Sequence, residues 1–141
     1  MQAKAYMEQV RRAESELEMI AARRRHYLEL ATSIGGSGSA VGGKPSGASR
    51  VEAGAVAIVD LLSELSARER EYVRLVKEAE SLISRLPQES FRKVLTLFYL
   101  AGRSLRAVNA EMGYTDEKSA LRCRRYALRE LQKVLDMPPV S

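Results

Sequence analysis

Ten positions near the start of the chain, Ala3, Tyr6, Val10, Ala13, Leu17, Ile20, Arg24, Tyr27, Ala31 and Ile34, step by three and four residues in strict alternation. That spacing keeps a narrow stripe on one side of an α-helix, the seam of a coiled coil rather than the wide apolar face of a globular helix. The spacing returns in Val51, Ala55, Ile58, Leu62, Leu65, Glu69, Tyr72, Val76, Ala79, Ile83 and Leu86, with charged residues between most of the seam positions. Residues 1–34 and 50–86 therefore read as two long helices that need partners. Between them, 35–49 is rich in Gly and Ser, which lack both the side chains to pack and the backbone restriction to hold a regular element. A flexible linker joining two amphipathic helices of similar length most simply gives an antiparallel hairpin, seam against seam. Arg24 and Glu69 then interrupt the two seams.

Tyr6, Tyr27 and Tyr72 fit this scheme as core fillers. A lone hairpin has only a narrow core, and two hairpins associating as a four-helix bundle would also bury Leu61, Val73, Leu75 and Leu82, which makes a homodimer one expectation. The run Arg23-Arg24-Arg25-His26 invites a nucleic-acid reading, but it sits among Glu16, Glu18 and Glu29 and reads as a solvated surface.

The remainder, 87–136, has a different pattern, followed by a short tail at 137–141. Pro87 suits the first turn of a new helix, where its missing amide proton costs nothing, so Leu86-Pro87 marks a boundary. Phe91, Val94, Leu95, Phe98 and Tyr99 give the apolar face of a first head helix, which Gly102 stops. Ser104 can cap a second, short helix over Leu105 to Met112, and Gly113 permits the backbone to reverse. Thr115 can cap a third, with Asp116 and Glu117 in its positive first turn and Leu121, Ala127, Leu128, Leu131 and Leu135 on its buried side. The expected fold is all-α: a long antiparallel helical hairpin followed by a three-helix, helix-turn-helix domain.

Charge points to what that domain meets. The net charge of +5 is uneven: 88–136 carries ten basic and six acidic groups, whereas 51–87 carries five and seven. Between Lys118 and Lys133 the only acid is Glu130. At 100° per residue, with Leu128 and Leu131 inward, the third helix presents Lys118, Ser119, Arg122, Arg125, Tyr126 and Arg129 outward. In a helix-turn-helix the early residues of the second helix reach base edges and later basic groups meet phosphates. Lys118, Ser119 and Arg122 are thus candidates for base contacts, with Arg125 and Arg129 for the backbone of double-stranded DNA. Arg103 and Arg106, beside the start of the preceding helix, are weaker phosphate candidates.

These residues carry a resemblance. Leu97-Phe98-Tyr99-Leu100-Ala101-Gly102-Arg103-Ser104-Leu105, then Glu111-Met112-Gly113-Tyr114-Thr115, then Tyr126-Ala127-Leu128-Arg129-Glu130-Leu131, is similar to region 4 of bacterial sigma factors, which reads the promoter −35 element. The layout of a helical hairpin and Gly/Pro/Ser loop ahead of such a head resembles small phage and prophage proteins related to ArpU- and RinA-type late-gene regulators. The resemblance implies DNA binding and transcriptional control, and a promoter-bound regulator that touches RNA polymerase is the coherent expectation for it. Three features depart from the sigma pattern. Asn109 stands where alanine is usual, the interval from Thr115 to Ala127 is one residue longer, and Cys123 sits near a position commonly held by a larger aliphatic. Nothing like the other sigma regions is present, so the chain is too short for a complete sigma factor.

Other classes are disfavoured by what the chain lacks. One cysteine, Cys123, and one histidine, His26, allow neither a disulfide nor a zinc cluster, and Cys123 reads as a small buried apolar residue. No run approaches the roughly 20 apolar residues of a membrane helix, and the polar start with Glu8 lacks a signal-peptide core, so a cytoplasmic, soluble protein without membrane contact is expected. Catalysis is not expected: His26 lies on a coiled-coil helix, and Gly42-Gly43-Lys44-Pro45 lacks the spacing of a phosphate loop. No cofactor or metal is called for. Two alternatives to a regulator stand: a DNA-packaging protein like a small terminase subunit, and a helical protein–protein adaptor.

Overall fold

A computed structural model describes residues 1–37 and 45–138, with side-chain surroundings for 1–33 and 52–138. Its elements are α1 (Ala3–Ser37), α2 (Pro45–Ser84), α3 (Glu89–Leu95) running into a π-helical turn (Thr96–Leu100), α4 (Leu105–Glu111) and α5 (Ser119–Asp136). The described residues form an all-α protein. Both long helices extend into the stretch expected to be linker: 35–37 continue α1, and 45–49 open α2. Helical hydrogen bonding carries the Gly-Gly-Ser of 35–37 along, and Pro45 takes the first position, where no amide proton is needed. The rest of the expected linker, 38–44, lies outside the described residues, as do 139–141 of the tail.

The chain divides into two compact units, one of Met1–Glu16 with everything from Tyr72 onward, the other of Leu17–Glu71. This division does not fall at Leu86-Pro87. The first turns of α1 and the end of α2 share a core with the head. In that unit Ala3, Tyr6, Val10 and Ala13 of the first seam and Val76, Ala79, Ile83 and Leu86 of the second are all buried. Met7, which is off the seam, is fully buried too. This end of α1 lies against the head as well, where Arg11 stacks on Phe98 and the Ala3 amide donates to Gln132 Oε1 at 2.6 Å. The Tyr6 hydroxyl donates to Glu78 Oε1 at 3.0 Å, and burial together with that carboxylate pushes its pKa far up.

The second unit has a thinner core. Ile20, Ile58 and Leu65 are buried there, and the two polar seam positions meet, Arg24 donating to Glu69 at 2.8 Å. Tyr27 and Leu62 are half-buried, while Ala31 and Ala55 are exposed, as are Met19, Leu28, Val56 and Val59. Here the periodic seam is only partly covered.

α2 ends in a tight turn at Leu82 to Leu86, and Leu86 is buried at the corner where the Arg92 guanidinium donates to its carbonyl. Pro87 precedes α3 instead of opening it: Gln88 is the extended N-cap and Glu89 the first helical residue. The head's core joins Val94, Leu95 and Tyr99 to Val108 of α4 and to Ala120, Ala127, Leu131 and Val134 of α5. The buried stripe of α5 is thus rotated from the expected one. Leu121, Leu128 and Leu135 are only half-buried, because the small Ala120 and Ala127 let α5 approach its neighbours along their own line.

Candidate nucleic-acid interface

Two chain reversals and a helix cap lead to α5. After the π turn the Ala101 amide bonds back to the Thr96 carbonyl and the Arg103 amide to that of Leu97, with Gly102 between them at φ +68°. Only glycine takes that conformation without strain, so the helix stop read from the sequence is a backbone requirement. Ser104 caps α4 as expected, its side chain accepting from the Ala107 amide at 3.2 Å. α4 ends in a Schellman motif: the Tyr114 amide bonds to the Asn109 carbonyl, the Gly113 amide to that of Ala110, and Gly113 has φ +75°.

The entry to α5 differs from the expectation. Thr115 does not cap it, and Asp116 and Glu117 are not in its first turn, because the helix starts at Ser119 with Lys118 at the cap position. Lys118 supplies no capping side chain, so α5 is capped from elsewhere. Asn109 of α4 accepts from the Ala120 amide through Oδ1 at 2.9 Å and donates to the Asp116 carbonyl through Nδ2 at 2.7 Å. Asp116 in turn accepts from the Lys118 amide at 3.0 Å and from Arg122 at 2.6 Å. The Lys118 amide, followed by Arg122, holds the Asp116 carboxyl below the usual carboxylate range. One residue therefore fixes both helix ends, its backbone closing α4 and its side chain opening α5.

Asn109 and Asp116 are the positioning residues that sequence reasoning missed as such. Asn109 stood out only as a departure from alanine. The available signal was its amide side chain ten residues before a helix start that has no capping side chain of its own.

On α5 the outward face is cationic. Lys118, Arg122, Arg125, Arg129 and Lys133 are all exposed, and at 100° per residue they fall within an arc of about 80° on the side away from Ala127. The stripe runs about 22 Å at 1.5 Å per residue. Arg122 is paired with Asp116, Lys133 with Glu130, and the Arg129 guanidinium lies 5.5 Å from the Tyr126 ring. Among the described residues Arg125 has no ion-pair partner. Tyr126 is 53% exposed on the flank of this face. Ser119 is half-buried at its edge, less accessible than the sequence reading assumed.

The remaining candidates are placed differently. Arg103 is exposed but ion-paired with Glu111 across α4, and Arg106 is exposed on the first turn of α4. Arg124 turns inward, its guanidinium 4.7 Å from the Phe98 ring centroid. Cys123 is half-buried rather than buried, with its Sγ 3.6 Å from the Ser90 carbonyl, and burial, followed by the neighbouring Cys123 thiol, raises the pKa of Tyr114. Among the described residues no group of three or more His, Cys, Asp or Glu side chains is placed to hold a metal ion, and no helix is long and apolar enough to cross a membrane.

No family model matches the chain, and no curated protein or solved structure is detectably similar to it. The site thus stands on its own geometry.

Proposed function

We propose that the protein is a sequence-specific binder of double-stranded DNA that regulates transcription of phage or prophage genes, with α5 entering the major groove. The observation that carries this reading is the exposed stripe of Lys118, Arg122, Arg125, Arg129 and Lys133 on one face of a helix that α4 and Asn109 hold at its start. A helix fits the major groove of B-form DNA, and guanidinium forks match both guanine edges and phosphate oxygens. Lys118 and Arg122, at the leading end, are assigned to base edges, with Arg125, Arg129 and Lys133 along the backbone. Arg122 exchanges Asp116 for its base when DNA arrives.

The resemblance of the head to sigma region 4 supports promoter recognition and a contact with RNA polymerase, in the cytoplasm where that enzyme works. The exposed Met19, Leu28, Val56 and Val59, and the half-buried Leu61, Val73, Leu75 and Leu82, support a homodimer through the long helices.

The test is a genome-library DNA selection with the purified chain at near-physiological salt, alongside light scattering. Enrichment of one motif by a monomer or dimer is the expected result. No enrichment overturns it, a large ring then pointing to packaging and a small species that ignores DNA to an adaptor. On the enriched duplex, Arg122→Gln should relax preference at one base pair by roughly 1–3 kcal/mol. Arg129→Gln should weaken all sequences alike and flatten the salt dependence by about one phosphate contact.

A further inference from the structure

A groove of about 480 Å³ opens beside the start of α1, away from the DNA-facing stripe. Lys4, Glu8, Arg11 and Arg12, one face of α1 at helical spacing, line one side, and Phe98 and Arg124 line the other. Four cations and a single carboxylate share this space, and no hydrogen bond or ion pair joins those cations to another described residue. Arg124 lies roughly 140° around α5 from the centre of the stripe, so a duplex lying on that stripe does not reach it.

Two features make the groove more than a charged surface. First, Arg11 and Arg124 stack on the same ring, with guanidinium carbons 4.0 and 4.7 Å from the Phe98 centroid. Ring stacking orients each cation, and both line the groove, where a bound anion offsets their like charge. Second, the Arg124 Nε is shut off from water with no acceptor. With that donor shut in, only the outer nitrogens of this guanidinium can reach an oxyanion in the groove that it lines.

We propose that the groove between α1 and Phe98–Arg124 is a binding site for a small polyphosphate, the diphosphate or triphosphate group of a free or nucleoside-linked anion. A local excess of three positive charges calls for a ligand with more than one negative charge, which a single carboxylate does not supply. The volume lies within the roughly 300–1,000 Å³ usual for small-molecule sites. Arginine forks on both walls suit the three-oxygen face of a phosphate.

The test is titration calorimetry of the full chain with inorganic pyrophosphate and with ADP at low salt. Binding is expected, weakened roughly fivefold or more by Arg12→Gln and by Lys4→Gln, both exposed positions whose loss leaves the core intact. Glu8→Gln should tighten it by about threefold, since the one opposing charge disappears. Arg74→Gln, an exposed cation outside the groove, should leave it unchanged. Tighter ADP than pyrophosphate would identify a nucleoside-linked ligand, and the reverse order an inorganic one. Absence of binding, equal weakening by Arg74→Gln, or weakening by Glu8→Gln would overturn the proposal. None of these outcomes depends on duplex binding by α5.

Discussion

Replacing Asn109 with alanine tests how α5 is held. The substitution removes two hydrogen bonds, Nδ2 to the Asp116 carbonyl at 2.7 Å and Oδ1 from the Ala120 amide at 2.9 Å. Each is worth about 1 kcal/mol net. Ala120 is wholly buried, so its amide also loses easy access to water as a substitute partner, and leaving a buried donor unsatisfied costs roughly 1–3 kcal/mol in place of the simple bond energy. The expected loss is therefore about 2–3 kcal/mol, at or above the upper end of what removing a helix cap costs. For a chain of this size that corresponds to a fall in Tm of roughly 6–12 °C. Urea denaturation followed by circular dichroism, with variant and parent at the same pH, measures the loss.

Asn109→Asp separates capping from general packing. The carboxylate keeps an acceptor for the Ala120 amide and puts negative charge at the start of α5, which is favourable, but it loses the donor to Asp116 and faces a carbonyl oxygen. An intermediate loss of about 1 kcal/mol is expected. An alanine variant within about 0.5 kcal/mol of the parent, or an aspartate variant as unstable as alanine, would refute the reasoning.

Three further outcomes follow from particular contacts. Tyr6→Phe should cost about 1 kcal/mol, because it deletes the hydroxyl that Glu78 accepts while leaving the ring buried, and a stability change near zero in urea melts would exclude that bond. Gly113→Ala forces a side chain into φ +75° and should cost roughly 1 kcal/mol through backbone conformation alone, since no atom lies within 4 Å of the added carbon; a larger loss would indicate a clash that the geometry denies. The folded-state pKa of Asp116 lies below its ordinary 3.8, so its stabilisation is present above that value and lost as pH falls through the lower, folded pKa. Melting curves of Asp116→Asn and the parent should therefore differ at neutral pH and converge in acid, and a gap that persists unchanged at low pH would show that the charge is not what matters.

The element pattern was legible because helix signals are local. The seam from Ala3 to Ala13 and its counterpart from Val76 to Leu86 are where periodicity placed them, since a 3.5-residue step defines a face whatever covers it. Gly102, Ser104 and Gly113 were equally readable, because a left-handed φ or a capping hydroxyl is a requirement of a single position. Beyond Ile20 the same period overstated burial at Ala31 and Ala55, because a pattern reports which side could be covered and not whether anything covers it.

Length, charge and spacing by themselves determined an all-α chain with two long amphipathic helices and a short helical head whose last helix is cationic. Tertiary structure alone decided that the first sixteen residues belong with that head, that α5 begins at Ser119, and that Arg124 turns onto Phe98 while Arg125 faces outward. Those outcomes depend on partners distant in sequence, Ala3 with Gln132, Arg11 with Phe98 and Asn109 with Ala120. A cap or a stack supplied from another helix leaves no mark in the local spacing of the residues it holds, and only the folded chain brings the two together.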